Sequence, residues 1–146
     1  MRSTLVRALV AVLALGLVAT ACSKKKPSGE TKAAQITING EKANNKGTAV
    51  VSGKSTFTLE ADTDNGQNYF DPTILKGTAG QSVTLTLKNE SGSVKHNFTL
   101  EDQNLNVDLD PEKSQTVTVS FPASGFLEFH CEYHQSSGMV GELVAA

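Results

Sequence analysis

The stretch Phe129-His130-Cys131-Glu132-Tyr133-His134-Gln135-Ser136-Ser137-Gly138-Met139-Val140-Gly141 constrains this chain more than any other. It sets a thiol, an imidazole and a thioether at Cys131, His134 and Met139, the pattern C-x2-H-x4-M. One upstream histidine, His96 in Lys95-His96-Asn97-Phe98, can complete a four-donor set. Zinc takes thiolate and imidazole, but a thioether is not among its usual ligands. Thiolate and thioether together with imidazole suit copper. Met139 therefore decides between the metals, and one copper ion per chain is the expected cofactor.

The rest of the chain reads as the frame for that site. Strand alternation is regular from Ser55 on. Val83, Leu85 and Leu87 share one face and Ser82, Thr84, Thr86 and Lys88 the other, and Val117, Val119 and Phe121 repeat the pattern. Asn106-Val107-Asp108 has room for a helical turn. Several short strands without a helical period predict an all-β fold, an antiparallel β-sandwich of Greek-key type. Parity also places the donors. His96 alternates with Phe98 and Leu100, and Cys131 with Phe129 and Leu127, so both point inward at strand ends. His134 and Met139 follow on a loop that can fold back over the same pole, with Gly138 allowing a tight approach.

The first 21 residues stand apart. Arg2 and Arg7 precede an apolar run, Leu9 to Ala19, that is short for a membrane span and ends in Ala19-Thr20-Ala21-Cys22. This resembles the lipobox of bacterial lipoproteins, although Ala19 stands where leucine is commoner. The resemblance implies cleavage before Cys22 and lipidation of Cys22. The alternative is an ordinary signal peptide cut near Ala-Thr-Ala. The expected organisation is a signal peptide at 1–21, a lipid-anchored tether with an extra strand or hairpin at 22–54, and the metal-binding domain at 55–146. The expected location is the outer face of a bacterial cytoplasmic membrane, or the periplasm or exterior without the lipid. With Cys22 lipidated, Cys131 is the one remaining thiol. A Cys22–Cys131 disulfide is the competing reading.

Charge is unevenly spread. Arg2, Arg7, Lys24, Lys25, Lys26 and Lys32 take six of the 13 basic residues, leaving seven lysines against 14 acids from residue 33 on. A basic stalk would favour anionic lipid headgroups, and an acidic domain would be steered to a basic docking patch. No basic patch suits nucleic acid.

From about Phe70 to Val144 the chain resembles the cupredoxins, the small blue copper proteins that include plastocyanin and pseudoazurin. The matching pieces are Phe70-x-Pro72, Gly80-x-x-Val83, Asn89, His96-Asn97-Phe98, Cys131-x2-His134-x4-Met139 and Gly141. The resemblance implies that His96, Cys131 and His134 are equatorial ligands and Met139 the long axial one. It implies that Asn97 pins the ligand loops together by hydrogen bonding. Two positions depart from plastocyanin: Tyr133 replaces a proline, and His130 replaces an aromatic residue. By parity His130 faces away from the metal with Glu128. It is a candidate electron port, or simply an exposed histidine.

Two imidazoles, one thiolate and a weak axial thioether are the ligands of a blue-copper electron-transfer centre. The expected function is therefore an electron carrier cycling Cu(I) and Cu(II), not an enzyme. Its expected partners are redox proteins such as cytochromes, oxidases or reductases. Three rivals stand beside it: a copper storage or delivery lipoprotein using the same ligands, an enzyme subunit in which His130 completes a shared copper site, and a metal-free adhesion module.

Overall fold

The computed structural model describes residues 32–146. The leader, Cys22 and most of the tether lie outside the described residues. Twelve strands run in chain order: β1 (Ala34–Ile38), β2 (Glu41–Asn45), β3 (Thr48–Val50), β4 (Thr56–Asp64), β5 (Gln67–Asp71), β6 (Ile74–Gly77), β7 (Ser82–Asn89), β8 (His96–Leu100), β9 (Leu105–Leu109), β10 (Ser114–Ser120), β11 (Phe126–His130) and β12 (Val140–Ala145). One sheet has the order β10-β7-β4-β5 and the other β3-β6-β12-β11-β8-β9, while β1 and β2 pair as a separate hairpin.

The two larger sheets face each other across one apolar core. Leu59, Ala61, Phe70, Val83, Leu85, Leu87, Val117 and Val119 come from the first, and Leu75, Phe98, Leu100, Leu109, Phe129 and Leu143 from the second. The alternating positions at Val83, Leu85, Leu87, Val117, Val119 and Phe121 are all buried, as their parity predicts. The all-β sandwich is therefore as expected, but its sheets are mixed. β4 pairs with β7, and β6 with both β3 and β12, in parallel. The chain crosses repeatedly between the two sheets, so strands distant in sequence meet side by side in the same direction.

Two local expectations change. Asn106-Val107-Asp108 is not a helical turn but the middle of β9, because Leu105 to Leu109 pairs along its length with β8. The short 3-10 turn lies earlier, at Glu101–Gln103, and ends at Asn104 with φ 51°. In the segment read as a tether with an extra strand or hairpin, the described residues form β1, β2 and β3. β3 is hydrogen-bonded into the six-stranded sheet. The β1–β2 hairpin buries Ile38 and Ala43 against Val140 of β12. Thr73 ties it down: its hydroxyl bonds to the Asn44 and Phe70 carbonyls (3.1 and 3.2 Å), and its oxygen accepts from the Lys46 amide (2.7 Å).

Close approach matters most at Gly141. It sits opposite Phe129 across the β11–β12 ladder, and the Phe129 ring lies over it. A Cβ there would meet that ring at 2.4 Å and the Thr73 carbonyl oxygen at 2.6 Å. Phe129 also packs edge-on to Phe70, with centroids 5.1 Å apart, so the ring has no room to move. Gly141→Ala should cost roughly 1–3 kcal/mol or more, as overpacking of a filled core does. Urea unfolding measures it, and a stability within about 0.5 kcal/mol of the parent would contradict this packing.

Candidate metal centre

β8 begins with His96, and Cys131 directly follows β11. These two strands are antiparallel neighbours, with Thr99 opposite His130. The pairing brings the start of one strand beside the end of the other. The Asn97 amide donates to Cys131 Sγ at 3.3 Å. The chain then turns back on itself. The His134 amide bonds to the Cys131 carbonyl (3.0 Å), and Gln135–Ser137 forms a 3-10 turn. Gly138 closes that turn at φ 95°, a left-handed conformation that glycine adopts without strain. The Met139 amide then reaches the His134 carbonyl (3.1 Å), and the Cys131 amide reaches the Met139 carbonyl (3.0 Å). The loop is thus a closed ring of main-chain hydrogen bonds.

Three expected donors meet. One ligand atom each of His96, Cys131 and His134 lies within 4.8 Å of the others. The two Nδ1 atoms are 3.2 Å apart, and His134 Nδ1 is 3.5 Å from Cys131 Sγ. A first-row ion such as zinc bonds imidazole nitrogen at about 2.0 Å and thiolate sulfur at about 2.3 Å. Separations of this size are those of donors that share one centre. Met139 is fully buried in the same core cluster as Cys131. His96 and Cys131 are fully buried, and His134 is the most accessible of the three.

A side-chain relay sets the tautomer of His96. Asn68 Oδ1 can only accept, so the Thr63 hydroxyl donates to it at 2.7 Å. The Thr63 oxygen then accepts from His96 Nε2–H at 3.1 Å. His96 Nδ1 is left with a bare lone pair facing the other donors. The relay continues from Asn68 Nδ2 to Ser137 Oγ (3.2 Å), and the Ser137 hydroxyl donates to the His134 carbonyl (2.8 Å). One chain of hydrogen bonds therefore runs from the ring of His96 to the backbone of His134.

Protonation follows from burial. The His96 imidazolium is disfavoured to a pKa of about 4, by burial first and by neighbouring His134 second, against a small opposing pull from Asp62. Burial also lowers the pKa of His134. Burial pushes the Cys131 thiol up, while backbone amides of Asn97, Tyr133 and His134 hold it down. At neutral pH the site offers two neutral imidazoles and a thiol whose proton a metal would displace. The residues present fit a soft, imidazole-accepting ion such as copper.

Asn97 bridges both halves of the site. Its amide reaches Cys131 Sγ, its Oδ1 accepts from the Glu132 amide (2.7 Å), and its Nδ2 donates to Glu132 Oε2 (3.1 Å) and Thr99 Oγ1 (3.2 Å). Tyr133 anchors the loop from outside, donating to Asp108 Oδ1 at 2.6 Å. His130 stands apart from the donor cluster, but it is not exposed. It is only 8% accessible, 3.8 Å from Glu128, and lines a cavity of about 200 Å³ with Asn39, Glu101, Asp102 and Gln135. The hairpin tip at Asn39 walls it in, which no strand parity could reveal.

Sequence reasoning missed Thr63, Asn68, Ser137 and Asn44. Thr63 was within reach: extending the alternation of Leu59 and Ala61 by two residues makes it an inward polar group at a strand end. Asn44 and Ser137 carry no such periodic signal.

Auracyanin from the photosynthetic bacterium Roseiflexus castenholzii, in its dithionite-reduced form, is 26% identical over 61% of this chain and 96% of its own, with a TM-score of 0.50. Two others share the fold. The metal-binding domain of the Streptococcus pneumoniae Cu(I)-exporting P-type ATPase, solved with Cu(I), is 11% identical over 67% of this chain and 96% of its own, with a TM-score of 0.51. The copper-containing nitrite reductase of Thermus scotoductus is 22% identical over 62% of this chain and 27% of its own, with a TM-score of 0.50. The cupredoxin-like domain family matches residues 11–145, and this chain, with its sandwich and its converging His-Cys-His donors, belongs to that family.

Proposed function

We propose that this protein is an electron carrier built on one type 1 copper ion, held by His96, Cys131, His134 and Met139. The observation that supports it best is the convergence of two imidazole Nδ1 atoms and a buried thiol at 3.2 and 3.5 Å. Copper supplies the one-electron Cu(I)/Cu(II) couple when bound. The protein keeps the donors in one arrangement in both states. The relay through Thr63 holds the His96 lone pair in place, Asn97 holds the sulfur, and the closed loop holds His134. Such support around ligands fixes their orientation and tunes the metal. With four protein donors no position is left for a substrate, so the reading is a carrier and not an enzyme. His134, the more open imidazole, is the exit for the electron. The Cys22 lipid, the basic stalk at Lys24, Lys25 and Lys26, and an outward-facing membrane location belong to this reading. So does a redox partner with a basic docking patch.

Absorption and electron-spin resonance spectra of the copper-loaded, oxidised protein test it. An intense visible thiolate-to-Cu(II) band is expected; a protein that binds only Cu(I) without colour would instead be a storage or delivery protein. Cys131→Ser should abolish the band, and its persistence would remove the sulfur from the ligand set. Met139→Leu should keep copper and raise the reduction potential, whereas loss of all copper would refute an axial role. Thr63→Val, near-isosteric but without an acceptor for His96 Nε2–H, should weaken copper binding about 10- to 100-fold. A competition titration with unchanged affinity would show that the relay does not orient His96.

A further inference from the structure

Asn44 is 1% accessible, in β2, and not among the metal donors. Every polar group it carries is engaged. Its main-chain amide donates to the Gly138 carbonyl (2.8 Å). Its Nδ2 donates to the carbonyls of Ser137 and Asn68, both at 2.9 Å. Its Oδ1 accepts from Gln35 Nε2 (3.3 Å) and Gln67 Nε2 (3.1 Å), and its own carbonyl accepts from Thr73 Oγ1 (3.1 Å). An amide side chain has two hydrogens and two acceptor sites, and here all four are used. Two of the six bonds end on consecutive carbonyls of the ligand loop, just before Met139. A third ends on Asn68, which belongs to the relay from His96.

The loop is shaped to receive this residue. Gly138 has φ +95°, and a Cβ there would lie 2.9–3.1 Å from the Asn44 amide group. Glycine is thus required twice, by its own backbone and by the side chain pressed against it. The bond to the Ser137 carbonyl spans 93 residues of sequence, so the contact is tertiary and specific. Buried amides satisfied on every side rigidify what they join, because opening any one bond strands a polar group in the core.

We infer that Asn44 is a positioning residue for the ligand loop, and that the β1–β2 hairpin is a clamp that holds His134 and Met139 in their metal-binding arrangement. Asn44 touches none of the donor atoms. It acts by fixing the carbonyls of Ser137 and Gly138, which fixes where Met139 and the turn after His134 can lie. The copper readout below rests on the proposed ligand set; the exchange readout does not.

The test uses the full chain and three variants. Asn44→Asp keeps the shape and turns the two donor bonds into repulsion between oxygens. Asn44→Ala removes them without adding charge. Gly138→Ala disturbs the same contact from the loop side. In the metal-free protein, amide hydrogen exchange at Met139, and at Gly138 in the two Asn44 variants, should speed up at least about tenfold. Exchange at Leu85 and Val119, in the far core, should stay unchanged. In the Cu(I)-loaded protein, transfer of copper to excess bicinchoninate should speed up at least about tenfold. Loop amides that exchange as in the parent would overturn the clamp. So would loop and core rising together, or loss of core protection in all three variants, because either marks Asn44 as a general stabiliser. If the parent binds no copper, the ligand assignment fails, while the exchange result still decides the role of Asn44.

Discussion

The antiparallel pairing of β8 with β11 is the constraint from which the site follows. It sets the beginning of one strand beside the end of the other, with Thr99 opposite His130. His96 and Cys131 then face the same interior, and the Asn97 amide meets the sulfur at 3.3 Å. Phe98 and Phe129 hold this register from below, with centroids 5.1 Å apart, and Phe70 packs edge-on against both. A slip of one residue would turn every one of these side chains to the opposite face. The core and the placement of His96 and Cys131 are therefore specified by the same alternation, while His134 comes from the loop that follows.

Burial makes the donors both costly and useful. Burial of His96 and Cys131, and the partial burial of His134, resists charge, so at neutral pH the histidines stay neutral and the thiol protonated. That leaves the lone pairs of His96, Cys131 and His134 converging on one space. Each remaining polar atom nearby has a partner: His96 Nε2 bonds to Thr63, Thr63 to Asn68, Asn68 to Ser137, and Ser137 to the His134 carbonyl. Asn44 and Asn97 close the network from opposite sides, one on the backbone before Met139 and the other around Cys131. Glu128 Oε2 is the exception among the described residues, buried without a hydrogen-bond partner beside His130.

Much of this was readable from the residues. Parity alone put His96 with Phe98 and Leu100, and Cys131 with Phe129, because a strand's side chains alternate whatever it pairs with. The spacing from Cys131 through His134 to Met139 marked a loop that could return to the same pole. Parity also turned His130 away from the donors, but not its burial, since the hairpin that covers it lies some ninety positions earlier. Asn106 to Asp108 misled for a related reason. Short polar segments take their conformation from the strand beside them, here β8, rather than from their own propensity.

The sequence by itself determined the all-β class, the inward faces and the approximate pole at which His96, Cys131 and His134 meet. Those features depend on residue type and on a period of two, both local. Only the tertiary structure decided the mixed sheets, the relay that selects the tautomer of His96, and the grip of Asn44 on the loop. Each of these joins polar groups from segments distant along the chain. A hydrogen bond between distant segments leaves no periodic trace, because it depends on where the chain crosses between sheets and not on the order of residues within a strand.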